Sequence, residues 1–147
     1  MESPKPEQVA DPMALKVAQK EVAASRRQGG RVRALLTPAS VGATSGFLGT
    51  VDLAPGESVS EHYHPYSDKF FYVLEGTVDF RLNGKTVRVE ASESLMVRRG
   101  TRHQLDHAGG GQARLVFTIA PLAPRPELGH VDTAPPPHPE AEVPRVG

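Results

Sequence analysis

Turn dipeptides divide the chain from Arg31 to Pro121 into short pieces rich in apolar and β-branched residues. They are Pro55-Gly56, Asn83-Gly84, Arg99-Gly100 and the glycine run Gly109–Gly111, and what lies between them reads as strand. The clearest piece is the hairpin at Asn83-Gly84. Before the turn Val78, Phe80 and Leu82 alternate with Thr77, Asp79 and Arg81; after it Val87 and Val89 alternate with Thr86, Arg88 and Glu90. Asn and Gly accept the positive φ of a type I′ turn, and the alternation gives each strand one apolar face. Strands are predicted at Arg31–Leu36, Gly46–Leu53, Ser58–His64, Lys69–Glu75, Thr77–Leu82, Lys85–Glu90, Ser94–Val97, His103–Leu105 and Ala113–Ala120. Many short strands at regular spacing make an all-β antiparallel sandwich or barrel.

Two histidines of that run lie two residues apart, in Glu61-His62-Tyr63-His64-Pro65. On a strand, residues i and i+2 share a face, so both imidazoles project from one surface. A neutral imidazole pair is half of a site for zinc, iron, nickel or copper. His103, just after Gly100, is the candidate third ligand. The chain has no cysteine, so thiolate ligands and disulfides are excluded and any metal must take nitrogen and oxygen donors.

The remaining composition bounds the function. A chain of 147 residues with 38% hydrophobic and 5% aromatic content makes one domain with a modest aliphatic core. Seventeen basic residues balance seventeen acidic ones, which gives no electrostatic case for nucleic acid or an anionic membrane as partner. No run approaches the roughly 20 apolar residues of a membrane span. The first residues lack the apolar stretch of a signal peptide, so a soluble, cytoplasmic protein is expected. We divide the chain into an N-terminal arm (1–30), a β domain (31–121) and a Pro-rich tail (122–147) expected to be extended or disordered. Met13–Ala24 reads as a short helix or an irregular arm. The apolar residues Phe47, Leu53, Phe71, Val73, Phe80, Leu95, Leu105, Val116 and Ile119 are the expected core.

Gly56, His62, His64 and Gly76 resemble the first signature of the cupin superfamily: glycine, five residues, His-x-His, three or four residues, glutamate, six residues, glycine. Gly100 and His103 fit the second signature, in which Ser92, Arg98 and His107 stand where its first glycine, its proline and its asparagine would be. The resemblance implies a jelly-roll β-sandwich holding one divalent metal ion inside, with His62, His64 and His103 as ligands. The glutamate position is Lys69, whose amine opposes a metal rather than binding it. Asp68 is one residue away and so on the other face unless the strand bulges, and its plain reading is a solvated turn carboxylate. His107 adds an imidazole, which suggests an all-histidine site. It lies four residues past His103, roughly 13 Å along a straight strand, so joining the site requires a bend near Ala108–Gly111. Lys69 reads either as a surface lysine or as an interior one whose pKa is lowered.

A narrower resemblance covers most of the chain. Val41–Phe47, Ser60–Ser67 and Pro121–Thr133 are similar to the small cupin cyclases of aromatic polyketide biosynthesis, of the tetracenomycin and resistomycin pathways, with the zinc-dependent resistomycin type nearest. That resemblance implies aldol cyclisation and aromatisation of a poly-β-ketone, free or on an acyl carrier protein, beside other enzymes of the pathway. It implies zinc as a redox-silent Lewis acid and a homodimer. A metal-bound hydroxide, His107 or Asp68 would serve as base, Lys69 is a further candidate catalytic residue, and His130 would cover the pocket or a partner subunit. Two other readings stay open: an oxygenase using iron or another metal, and a non-catalytic module that binds a polyketide.

Overall fold

A computed structural model describes residues 15–147. Its strands are β1 (Arg31–Leu36), β2 (Phe47–Leu53), β3 (Ser58–Tyr63), β4 (Asp68–Glu75), β5 (Thr77–Leu82), β6 (Lys85–Glu90), β7 (Ser94–Val97), β8 (His103–Ala108), β9 (Ala113–Ala120) and β10 (Val131–Asp132). They form two five-stranded sheets, β1-β2-β9-β4-β7 and β10-β3-β8-β5-β6, packed as a jelly-roll sandwich. The predicted strands appear within a few residues of their expected bounds. Asn83 and Gly84 have φ of 50° and 85°, as the type I′ turn requires, and β5 and β6 pair in unbroken register from Leu82↔Lys85 to Thr77↔Glu90.

Parity decides what is inside. On β4 Lys69, Phe71 and Val73 face inward, opposite Ile119, Phe117 and Leu115 of β9. Phe80 crosses from the other sheet to meet Phe71 edge-on at 4.9 Å between ring centroids. Such contacts add to the apolar burial that drives the sheets together. Val116 has the opposite parity from Leu115 and Phe117 and lies on the outer face, so it is not core. On that outer face Phe70, Tyr72 and Leu74 are exposed in a row beside Met96. The outer face of the second sheet carries ion pairs instead, Arg88–Asp79 and Arg81–Asp106.

The tail departs from expectation, and the arm follows the second of its two readings. Of Met13–Ala24, read as a short helix or an irregular arm, the first two residues lie outside the described part, and the rest is irregular, with a 3-10 turn at Gln19–Glu21. The tail is not an unpaired segment. It turns at Pro126–Leu128, and β10 then adds to the edge of β3 with Val131↔Tyr63 and Asp132↔His62. The reason is legible afterwards: Glu127–Ala134 contains no proline, although prolines bracket it, so its backbone can donate.

Gly76 links β4 to β5 at φ +82°, and a Cβ there would sit 2.6 Å from the Gln112 carbonyl oxygen and 2.7 Å from Ala113 Cα. Gly84 has a similar φ of +85° but open space around it. Gly76→Ala is expected to lower stability by about 2–4 kcal/mol and Gly84→Ala by about 1 kcal/mol. Urea unfolding of the two variants measures the difference, and equal losses would show that the close approach at Gly76 is unimportant.

Candidate metal centre

The site starts from an irregularity in β3. Its register with β8 runs Ser58↔Asp106, Val59↔Leu105 and then His62↔His103, so three steps on β3 match two on β8. One extra residue is accommodated as a β-bulge. As a result Val59 and His62, an odd number of positions apart, both face inward, and both are buried. His64 follows His62 by ordinary alternation. The arm fixes the bulge: Ser60 N–H donates to the Gln28 carbonyl at 2.8 Å, and Gln28 Nε2 donates to Ser60 Oγ at 2.8 Å and to Asp132 Oδ1 at 3.0 Å.

His62, His64 and His103 come together inside the sandwich. Ring centroids are 4.3 Å apart for His62–His103, 5.0 Å for His62–His64 and 5.3 Å for His64–His103. One ring nitrogen from each lies within 4.8 Å of the others. Each Nδ1 is engaged by a backbone carbonyl, that of Ser60 at 2.8 Å, Gly129 at 2.7 Å and Thr101 at 3.0 Å respectively. A carbonyl only accepts, so each Nδ1 carries the proton and each Nε2 presents a lone pair. Nε2 of His64 and of His103 are buried without any hydrogen-bond partner. Orphaned buried acceptors are costly, and two of them beside a third ring of the same tautomer fit a metal ion. Burial, first of all, pushes all three pKa values down, with His103 at about 3. The rings are therefore neutral, as a ligand must be.

Lys69 faces this trio from the other sheet. It is interior, with 7% exposure, so the buried reading of this lysine holds. Its Nζ lies 4.5 Å from the Phe117 ring centroid and 5.0 Å from that of Phe71. Burial lowers its pKa to about 7.

The structure also brings in His130, from the tail. Its ring stacks on His62 at 4.3 Å and 15°, and its Nε2 is bonded to Asp132 Oδ1 at 2.7 Å. His130 thus packs on the trio from within the same chain. Two other candidates are not brought together with the trio. His107 sits at the far end of β8, which stays in register with β5 from His103 to Ala108, so the required bend is absent. Its ring is used locally by the Gly111 carbonyl and by Gly56 N–H. Asp68 keeps the outward parity of β4 and accepts from Arg99 N–H at 2.9 Å. His138 lies beside Glu140 on the surface.

The cupin domain model matches residues 49–119. The chain is 62% identical over 134 residues to the tetracenomycin polyketide synthase protein TcmJ of Streptomyces glaucescens, covering 91% of this chain and 90% of that one. The chain is a cupin. It is also 50% identical to the polyketide synthase protein CurC of Streptomyces cyaneus, covering 80% and 76% of the two chains. Among solved structures, the polyketide cyclase RemF of Streptomyces resistomycificus superposes with a TM-score of 0.64 at 22% identity, covering 84% of this cupin and 88% of RemF. In sequence the tetracenomycin protein is far nearer than RemF, whose likeness is one of fold. This cupin thus belongs with those associated with polyketide synthases, and three buried histidines in it can hold a metal.

The shifted groups make stability pH-dependent in the metal-stripped protein. Below about pH 6.5 the unfolded chain protonates its histidines while the folded trio refuses, so stability falls as pH drops. Between the folded Lys69 value of about 7 and the unfolded value near 10.5, the unfolded chain holds a proton that the fold lacks, so stability rises with pH. Urea midpoints measured in chelator from pH 4 to pH 10 are expected to climb across both windows. Lys69→Met should flatten the alkaline climb and leave the acid one. An alkaline climb that survives the substitution would place Lys69 in water.

Proposed function

We propose that this cupin is a metal-dependent cyclase that closes and aromatises rings in a poly-β-ketone, free or on an acyl carrier protein, within aromatic polyketide biosynthesis. The observation that carries the reading is the set of converging, proton-free Nε2 atoms in a chain so similar to polyketide synthase proteins. His62, His64 and His103 would hold one divalent ion, and zinc suits a donor set without carboxylate or thiolate and a reaction without a redox step. The ion would act as a Lewis acid toward a ketone oxygen of the substrate. Because the ligands are neutral, its charge is not cancelled by the protein, and a site of that kind favours the enolate over the ketone. Phe71 and Phe117 supply an apolar wall against which a folded chain can bring two carbons together. The tail segment Gly129–His130 closes over the trio and excludes water. For a homodimer, the supporting feature is the outward apolar row Phe70, Tyr72 and Leu74. Against the oxygenase reading stands Lys69, where a carboxylate would complete a two-histidine iron site.

Metal analysis of untagged protein is the test. About one zinc per chain is expected, with a loss of at least about 100-fold in metal affinity in His62→Ala and a matching loss of cyclised product from a poly-β-ketone. His107→Ala is expected to retain both within about 2-fold, since its ring serves only the local turn. Iron or copper with oxygen uptake would transfer the site to oxygenase chemistry. Turnover unchanged in His62→Ala would remove the metal from the reaction.

A further inference from the structure

The described interior of the sandwich holds one amine. Lys69 occupies the inward row of β4, between Ile119 and Val97 on the neighbouring strands, with Phe71 and Val73 after it in the same row. Among the described residues no carboxylate pairs with it, and Nζ makes no hydrogen bond. Its surroundings are the faces of Phe71 and Phe117. An apolar side chain would fill this row at far lower desolvation cost, so the position asks for an explanation beyond packing. Phe71 also borders His103, with ring centroids 6.5 Å apart, so the amine and the trio flank the same ring. A buried lysine without a counter-charge is the usual form of an amine that attacks carbonyl carbon.

Resting on the cyclase reading above, we propose that Lys69 Nζ captures a 1,3-dicarbonyl segment as an enaminone beside the metal-binding trio. The C–N bond forms at one carbonyl carbon and that carbon's bond to oxygen breaks. Nitrogen and the intervening methylene each give up one hydrogen, and both leave with the oxygen as water. Nothing is oxidised or reduced. The former methylene carbon then bonds to a more distant carbonyl carbon of the same chain; the π bond of that carbonyl opens, its oxygen takes the N–H proton to become a hydroxyl, and the nitrogen is left as an imine. Water adds to the imine carbon and cleaves the C–N bond, restoring the carbonyl and the amine.

The probe is acetylacetone, the smallest 1,3-diketone, added to the full chain loaded with zinc at pH 7.5. The expected product is a single adduct, one acetylacetone less one water, mapped by peptide mass spectrometry to Lys69. It should form on the order of 100-fold faster than at the surface lysines Lys16, Lys20 and Lys85, which lack the apolar setting of Lys69. Lys69→Arg should abolish it while still binding zinc, which shows that the variant folds. Label on the surface lysines alone overturns the proposal, because an amine that a five-carbon diketone cannot reach cannot serve a longer one. Label at Lys69 that persists at the same rate after urea unfolding also overturns it, since the buried setting would then contribute nothing. The cyclase reading is separated by the same samples. If Lys69→Arg still cyclises and His62→Ala does not, the metal reading stands and the amine has no part. If Lys69 is labelled but no ring forms, the adduct chemistry stands and the cyclase reading fails.

Discussion

The bulge in β3 is the constraint on which the site depends. A regular β3 would carry the parity of Val59 onward and point Glu61 and Tyr63 into the core, leaving His62 and His64 outside. Burying an unpaired carboxylate would cost several kcal/mol, so the regular register is excluded by Glu61 as firmly as the bulged one is favoured by the histidines. A bulge leaves backbone groups without ladder partners. Here the arm supplies one through Gln28, whose side chain ties Ser60 to Asp132 of β10. Gly29 must then pass so close to β3 that a Cβ would lie 1.9 Å from the Ser58 carbonyl oxygen. Arm, bulge and tail strand are thus one hydrogen-bonded unit rather than three appendages.

Placing three imidazoles and an amine in an aliphatic interior sets the electrostatics of the whole site. Each group is driven toward its neutral form by desolvation, and the positive forms repel one another through a medium that screens poorly. Among the described residues no carboxylate pairs with these groups: Asp68 is turned outward to Arg99 N–H, Glu61 accepts from the Thr133 hydroxyl, and Asp132 serves His130 and Arg27. The folded protein therefore carries lone pairs where most interiors carry hydrogen bonds. An ion that engages them relieves the orphaned atoms and stabilises the fold by mass action, so occupancy of the site and stability are linked.

How much of this was legible in the sequence follows from which interactions are local. The Asn83-Gly84 hairpin, the strand bounds and the pairing of His62 with His64 rest on turn chemistry and period-two alternation, and these survive in the fold. The inward placement of Lys69 and the outward one of Asp68 follow from the same parity. The direction in which His62 points does not, because it depends on a bulge stabilised by a residue more than thirty positions away. The inclusion of His130 depends on β10, a two-residue strand whose pairing partner cannot be inferred from its composition. His107 fails for a physical reason that spacing alone already indicated: a straight strand separates it from His103.

The tail packs directly on the trio. Its Gly129 carbonyl orients His64, and its His130 ring lies on His62, so the same segment that seals the trio also fixes two of its rings. The Gly129 carbonyl keeps the His64 ring from turning, and the stacked His130 ring covers one face of His62, so the donor set and the tail are positioned together. The small size of β10, held by Val131, Asp132 and the Thr133 bonds to Glu61, makes this the least costly part of the second sheet to open. The order of the histidine trio and the pairing of β10 are then two readouts of one set of contacts, carried by a stretch of chain beyond the last long strand of the sandwich.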